Sequence, residues 1–132
     1  MTNDELEQFA ARYAQAWCGH DPKKVAAFYV SNGTISVNGG PPTPIAEVAR
    51  GFFRDFPDTV VTFDKLEPRG DQTAFHWTFN GTNTGPGDTG KTVRIRGYEL
   101  WKFNSRGLIE ESKGHFDAAD YERQLKHGFA KI

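Results

Sequence analysis

The sequence predicts an α+β fold, with three N-terminal helices packed on one face of a strongly curved, mostly antiparallel sheet. Three observations carry this reading. Apolar residues recur at helical spacing as far as Pro57 and at a period of two beyond it. Pro and Gly stand where helices should start and stop in the first half of the chain. Turn-forming clusters divide the second half into four strand candidates. Helices first and strands after is the order of a sheet covered on one face.

The elements follow in turn. Thr2 and Glu5 have the spacing of a capping box, and Leu6, Phe9, Ala10, Tyr13 and Trp17 share one helical face. Gly19 ends that helix. Asp21-Pro22 opens a shorter second helix, with Asp21 as N-cap, that buries Val25, Phe28 and Tyr29. Asn32-Gly33 reads as a turn before a short strand over 34–37. Asn38-Gly39-Gly40-Pro41-Pro42 reads as a loop. Thr43-Pro44 opens a third helix with the stripe Ile45, Val48, Ala49, Phe52, Phe53 and Phe56. Strands are then expected over 59–67, 72–84, 91–103 and 108–117, and a last short helix over 118–126.

Bulk properties narrow the class. A chain of 132 residues suits one domain, here taken as 1–132, and can bury a core without disulfides. Aromatics at 14% oppose disorder. A net charge of −1 gives no general attraction for nucleic acid or an anionic membrane. No apolar run nears the ~20 residues of a membrane span, and the polar start is no signal peptide. A cytoplasmic location is the expectation. The sequons Asn32-Gly33-Thr34 and Asn80-Gly81-Thr82 are therefore read as turns. Cys18 is the single cysteine, read as a small buried hydrophobe. His20, His76, His115 and His127 are scattered without metal-ligand spacing, so no metal is expected.

Residues 85–92, Gly-Pro-Gly-Asp-Thr-Gly-Lys-Thr, match the P-loop pattern. A P-loop holds phosphate on the N–H groups of a helix that follows at once. Here Val93-Arg94-Ile95-Arg96 follows, an alternating strand pattern. The segment is read as a hairpin loop rich in glycine for turn geometry.

Strand 91–103 carries the chemistry. Val93, Ile95, Gly97, Glu99, Trp101 and Phe103 share one face, and Glu99 is the only ionisable group on it. A carboxyl beside Trp101 and Ile95 is desolvated, which raises its pKa and suits a general acid or base near neutral pH. The competing reading is structural, with Glu99 paired to a buried Arg or a Trp N–H, or facing water from a bulged strand. Trp77 shares a face with Phe75 and Phe79, as core or pocket wall, while His76 faces outward. Tyr13 and Trp17, four apart on the first helix, line either a cavity mouth or the core. His115 and Asp117, two apart, share a strand face and could pair as acid and base; Asp117 also stands where the last helix needs an N-cap.

Several strings resemble the SnoaL-like polyketide cyclase branch of the nuclear transport factor 2-like superfamily. They are Trp17-Cys-Gly-His-Asp21, Phe28-Tyr29 before a turn and strand, Trp77-Thr-Phe-Asn-Gly81-Thr82 before a Gly-Pro loop, Gly97-Tyr-Glu-Leu-Trp-Lys-Phe103, and Phe116-Asp117 leading to Gln124-Leu125-Lys-His-Gly128. The resemblance implies a cystatin-like cone with a cavity at its open end. It implies cofactor-independent cyclase, isomerase or lyase chemistry on a small, hydrophobic or aromatic ligand, or else a non-catalytic binding or dimerisation module. By similarity, the oxyanion acid of ketosteroid isomerase falls near Glu99. The isomerase base falls near Asn38, which cannot accept a proton and becomes a hydrogen-bond donor to substrate. The activating carboxylate of epoxide hydrolases falls near Gly114, which argues against that reaction. The late-strand Asp of the cyclases corresponds to Asp117. Tyr13, Trp17, Trp77 and Trp101 would shape the pocket. The resemblance also implies a homodimer, for which the outer face of strand 91–103 (Arg94, Arg96, Tyr98, Leu100, Lys102) is suited.

Overall fold

A computed structural model describes residues 1–129. Helix α1 spans Asn3–Cys18 and is opened by the expected reciprocal cap. The Glu5 amide donates to Thr2 Oγ1, and the Thr2 amide donates to Glu5 Oε1, each at 3.1 Å. Its buried face holds Phe9, Ala10, Tyr13, Ala14 and Trp17. Each large side chain on that face contributes roughly 1.5–3 kcal/mol on leaving water. Helix α2, Pro22–Ala26, is capped by Asp21, whose carboxylate accepts the Lys23 amide at 3.0 Å.

Helix α2 is shorter than its apolar pattern predicts. Phe28 lies beyond its end, and Tyr29 is the first residue of strand β1, Tyr29–Val37. That strand starts five residues earlier than expected because Asn32, at a φ of 64°, forms a bulge rather than a chain-reversing turn. Thr43–Pro44 precedes the third helix directly, with Pro44 as its N-cap rather than its first residue. It forms the two-residue strand β2 against β1, and helix α3 spans Ile45–Asp55 with no side-chain cap.

The other strands fall where the period-two pattern put them: β3 Val60–Arg69, β4 Gln72–Thr82, β5 Thr92–Phe103 and β6 Ile109–Phe116. Asn80-Gly81-Thr82 is thus strand, not turn. The curved sheet has the order β2-β1-β6-β5-β4-β3. Every neighbouring pair is antiparallel except β1 with β6, which run parallel. The parallel pairing is feasible because four strands, a helix and a 3-10 turn separate β1 from β6 in sequence.

Two apolar clusters fill the concave side. Phe9, Tyr13, Trp17, Phe75 and Trp101 anchor one, and Phe56, Phe79, Val93, Ile95 and Leu125 the other. Leu125 comes from helix α4, Ala118–His127, which packs under the second cluster. The P-loop-like segment is the β4–β5 connection, with a short 3-10 turn at Pro86–Asp88 and no helix after it. Buried Asn83 holds this loop from inside. Its Nδ2 donates to Pro86 O, Thr89 Oγ1 and Leu125 O, and its Oδ1 accepts the Gly85 amide. Among the described residues no helix is long and apolar enough to cross a membrane.

Candidate functional site

A small cavity opens between the two apolar clusters. Trp17 comes from α1, Val48 and Phe52 from α3, Ile35 and Val37 from β1, and Val61 from β3. Trp77 and Phe79 of β4, Ile95 and Glu99 of β5, and Gly114 and Phe116 of β6 complete the wall. Its volume is about 60 Å³. That is space for about four to six waters. Among the described residues Glu99 is the only ionisable one on this wall.

The strand period explains why Glu99 points inward. Val93, Ile95, Glu99 and Trp101 are all buried on one face of β5. Glu99 is 6% exposed. Its Oε1 accepts from Tyr13 Oη at 2.9 Å, Trp101 Nε1 at 3.0 Å and Ser112 Oγ at 3.0 Å. The Tyr29 hydroxyl stands 2.8 Å from Tyr13 Oη and 3.3 Å from Glu99 Oε1. Tyr13 has one proton and gives it to Glu99, so the single Tyr29 proton is shared between Tyr13 Oη and Glu99 Oε1. All these bonds meet on Oε1; among the described residues none uses Oε2.

Burial pushes the Glu99 pKa above 4.5, and the bonds from Trp101, Tyr13, Ser112 and Tyr29 oppose that rise without cancelling it. Among the described residues no cation pairs with it, and the carboxyl is held by neutral donors. The Tyr13 and Tyr29 phenols are pushed well above their usual range, chiefly by burial and then by the charge of Glu99. Both therefore stay protonated donors.

The candidates from the sequence separate into three groups. Glu99, Trp17 and Trp77 meet at the cavity. Gly97 makes room for Trp77, since a Cβ there would lie 2.6 Å from Trp77 Cζ2 and would strike the His115 carbonyl. Tyr13 and Trp101 do not line the cavity. Both are fully buried and hold Glu99 from behind, with Trp101 stacked on Phe75 at 4.8 Å between ring centroids.

Asn38, His115 and Asp117 lie apart from Glu99. Asn38 takes a φ of 51° at the end of β1, and its Oδ1 accepts the Phe116 amide at 2.9 Å. It ties the chain to β6 instead of lining the cavity. His115 is paired with Tyr98 across the sheet, on the outer face, with ring centroids 5.0 Å apart. Glu99 is paired with Gly114, so the residue after it must point the other way. Asp117 is the N-cap of α4 and accepts the Asp120 amide at 3.1 Å.

Sequence reasoning did not find Tyr29 and Ser112 as partners of Glu99. The Ser112 signal was present: a period of two puts it with Gly114 and Phe116 on the inner face. Tyr29 carried no such signal, because its role depends on where β1 begins. Among the described residues no group of three or more His, Cys, Asp or Glu is gathered to hold a metal ion.

The fold is shared with solved structures of low sequence identity. The chain is similar to TsrD from Streptomyces laurentii, with a TM-score of 0.80 and 18% identity over 95% of this chain and 97% of that one. It is similar to a protein of ketosteroid isomerase-like fold from Catenulispora acidiphila, solved with trimethylamine, with a TM-score of 0.76 and 15% identity over 89% and 92% of the two chains. It is also similar to SalBIII, an epoxide hydrolase/cyclase-like enzyme of pyran ring formation in the polyether salinomycin, with a TM-score of 0.74 and 15% identity over 90% and 96%. A comparison with curated proteins finds no match. The model of one family, the SnoaL-like polyketide cyclases, matches residues 7–125, nearly the whole chain. The chain belongs to the SnoaL-like polyketide cyclase family.

Proposed function

We propose that the cavity binds a small, largely apolar carbonyl compound and that Glu99 acts on it as a general base and acid, without a cofactor. The observation that carries this is a lone carboxyl on an apolar wall, with Oε1 held by neutral donors. Oε2 is the atom available to a ligand. Above its raised pKa, Glu99 takes a proton from the carbon next to the ligand carbonyl. The C–H electrons move to the carbonyl oxygen as an enolate. In a substrate with a second carbonyl, the enolate carbon attacks it and closes a ring, and the alkoxide formed takes the proton back from Glu99. Without that second carbonyl, return of the proton to another carbon is an isomerisation. Family membership supports the cyclase outcome.

The test is exchange of the α-protons of acetone in D2O, followed by proton NMR. The protein should accelerate exchange, and Glu99→Gln should remove about 10²–10⁴-fold of that acceleration, the usual range for a positioned acid or base. Equal exchange by wild type and Glu99→Gln contradicts the assignment.

The cavity of about 60 Å³ supports a second reading, a binding pocket without catalysis, because it is far smaller than the roughly 300–1,000 Å³ of ordinary ligand clefts. Saturable ketone binding with no exchange above the buffer rate would favour it.

A further inference from the structure

A glycine inside a strand loses chain entropy on folding and packs no side chain, so each one calls for a reason. Four lie in strands among the described residues: Gly33, Gly81, Gly97 and Gly114. Three of them have a steric reason. A Cβ at Gly33 would stand 2.6 Å from Tyr29 Cβ, and one at Gly81 would stand 3.0 Å from Phe56 Cβ. At Gly97 it would strike the His115 carbonyl and Trp77.

Gly114 has no such reason. Its φ lies outside the left-handed region, so a residue with a side chain can take its conformation. Its strand is paired on both sides, with Glu99 of β5 opposite it on one and Val37 of β1 on the other. A Cβ there would meet nothing nearer than Ile35 Cδ1 at 3.6 Å, Ser36 O at 3.7 Å and Glu99 Cγ at 3.9 Å. Those are ordinary van der Waals contacts. Ile35, Glu99 and Gly114 all line the cavity, so the added carbon would sit within it and displace nothing. A position that tolerates a side chain and lacks one leaves that space to something else. In a cavity of about 60 Å³, one methyl group is a large share of the room.

We infer that Gly114 is a specificity-determining residue whose missing side chain keeps open the space beside Glu99 for an alkyl arm of a carbonyl ligand. This rests on the cavity's being the ligand site, as proposed above, but not on Glu99's being catalytic. The neighbours of that space are an Ile35 methyl, the Glu99 methylene and the Ser36 carbonyl oxygen. None of them can donate to a ligand oxygen, so carbon rather than oxygen fills it.

The test uses acetone and butanone, which differ by one methylene. Binding is read by NMR titration of the backbone amides of β1, β5 and β6. Gly114→Ala should weaken butanone about tenfold more than it weakens acetone, the low end of what one methylene is worth in an apolar pocket. It should also raise Tm by about 2–4 °C, because an alanine that fits reduces the freedom of the unfolded chain alone. Gly97→Ala is the control and should lower Tm, since its Cβ strikes backbone.

A Gly114→Ala protein that melts below wild type, or does not fold, has a steric need for glycine and overturns the inference. An unchanged ratio of butanone to acetone affinity overturns it too, as does a wild type that binds neither ketone. The two readings fail separately. A shifted ratio with no α-proton exchange sinks catalysis alone; exchange with an unmoved ratio sinks the Gly114 role alone.

Discussion

Glu99 and Glu67 are two carboxylates on the same sheet with opposite surroundings. Glu67, on β3, has a side chain 45% exposed and meets Arg69 Nη2 at 3.0 Å and His76 Nε2 at 3.1 Å. Those partners, His76 first and then Arg69, hold its pKa below the ordinary value. Glu99, on β5, is 6% exposed and meets only neutral donors, and burial holds its pKa above the ordinary value. One environment keeps a charge permanently in place; the other keeps a proton ready to leave or return. The difference teaches that the carboxyl with fewer charged neighbours is the one suited to chemistry.

The largest effect should separate the two in activity. Glu99→Gln should lower α-proton exchange by about 10²–10⁴-fold, whereas Glu67→Gln should leave it within about twofold. A comparable loss in both would mean that the cavity is not where exchange occurs.

Stability should separate their partners next. Tyr13→Phe and Trp101→Phe each remove a donor from a buried carboxyl and should cost about 1–3 kcal/mol by chemical denaturation. Both should also push the Glu99 pKa further up. His76→Ala removes one partner of an exposed group and should leave stability nearly unchanged. Equal costs on the two faces would contradict the burial argument.

The pH dependence sharpens the contrast through its sign. The folded pKa of Glu99 lies above 4.5, so the native protein binds a proton that the unfolded chain releases. Its contribution is fully present below about pH 4.5 and is lost as pH rises through the folded pKa. Thermal melts should therefore show Glu99→Gln gaining on wild type between acidic and mildly alkaline pH. The pKa of Glu67 is lowered, so its small contribution runs the other way and fades only as pH falls.

The smallest effects concern the residues that a strand reading grouped with catalysis. Asp117→Ala should cost about 1 kcal/mol through loss of the α4 cap. His115→Ala should cost under about 0.5 kcal/mol from the outer face. Neither should change exchange per folded molecule. A specific loss of exchange in either would return it to the site.

These residues also show what the sequence could reveal. The inward aim of Glu99 was legible because β5 alternates without a break from Val93 to Trp101. The helix starts at Thr2 and Asp21 were legible because capping is local chemistry. The start of β1 was not, because the Asn32 bulge and the parallel partner β6 that extend it are tertiary. With it went the place of Tyr29 beside Tyr13. Asn38 was misplaced for a related reason: a left-handed residue turns its side chain toward whichever strand end lies near, here Phe116. The roles of the three tryptophans could not be told apart by period, since all face inward and only distances show that Trp101 serves Glu99.

The central claim is that burial, and no charged partner, sets the Glu99 pKa above its ordinary value. Its side-chain carboxyl carbon can be followed by carbon-13 NMR against pH, with the signal identified by its absence in Glu99→Gln. The account predicts a midpoint clearly above 4.5, with Glu67 titrating below it in the same spectra. A Glu99 midpoint at or below 4.5 would contradict it.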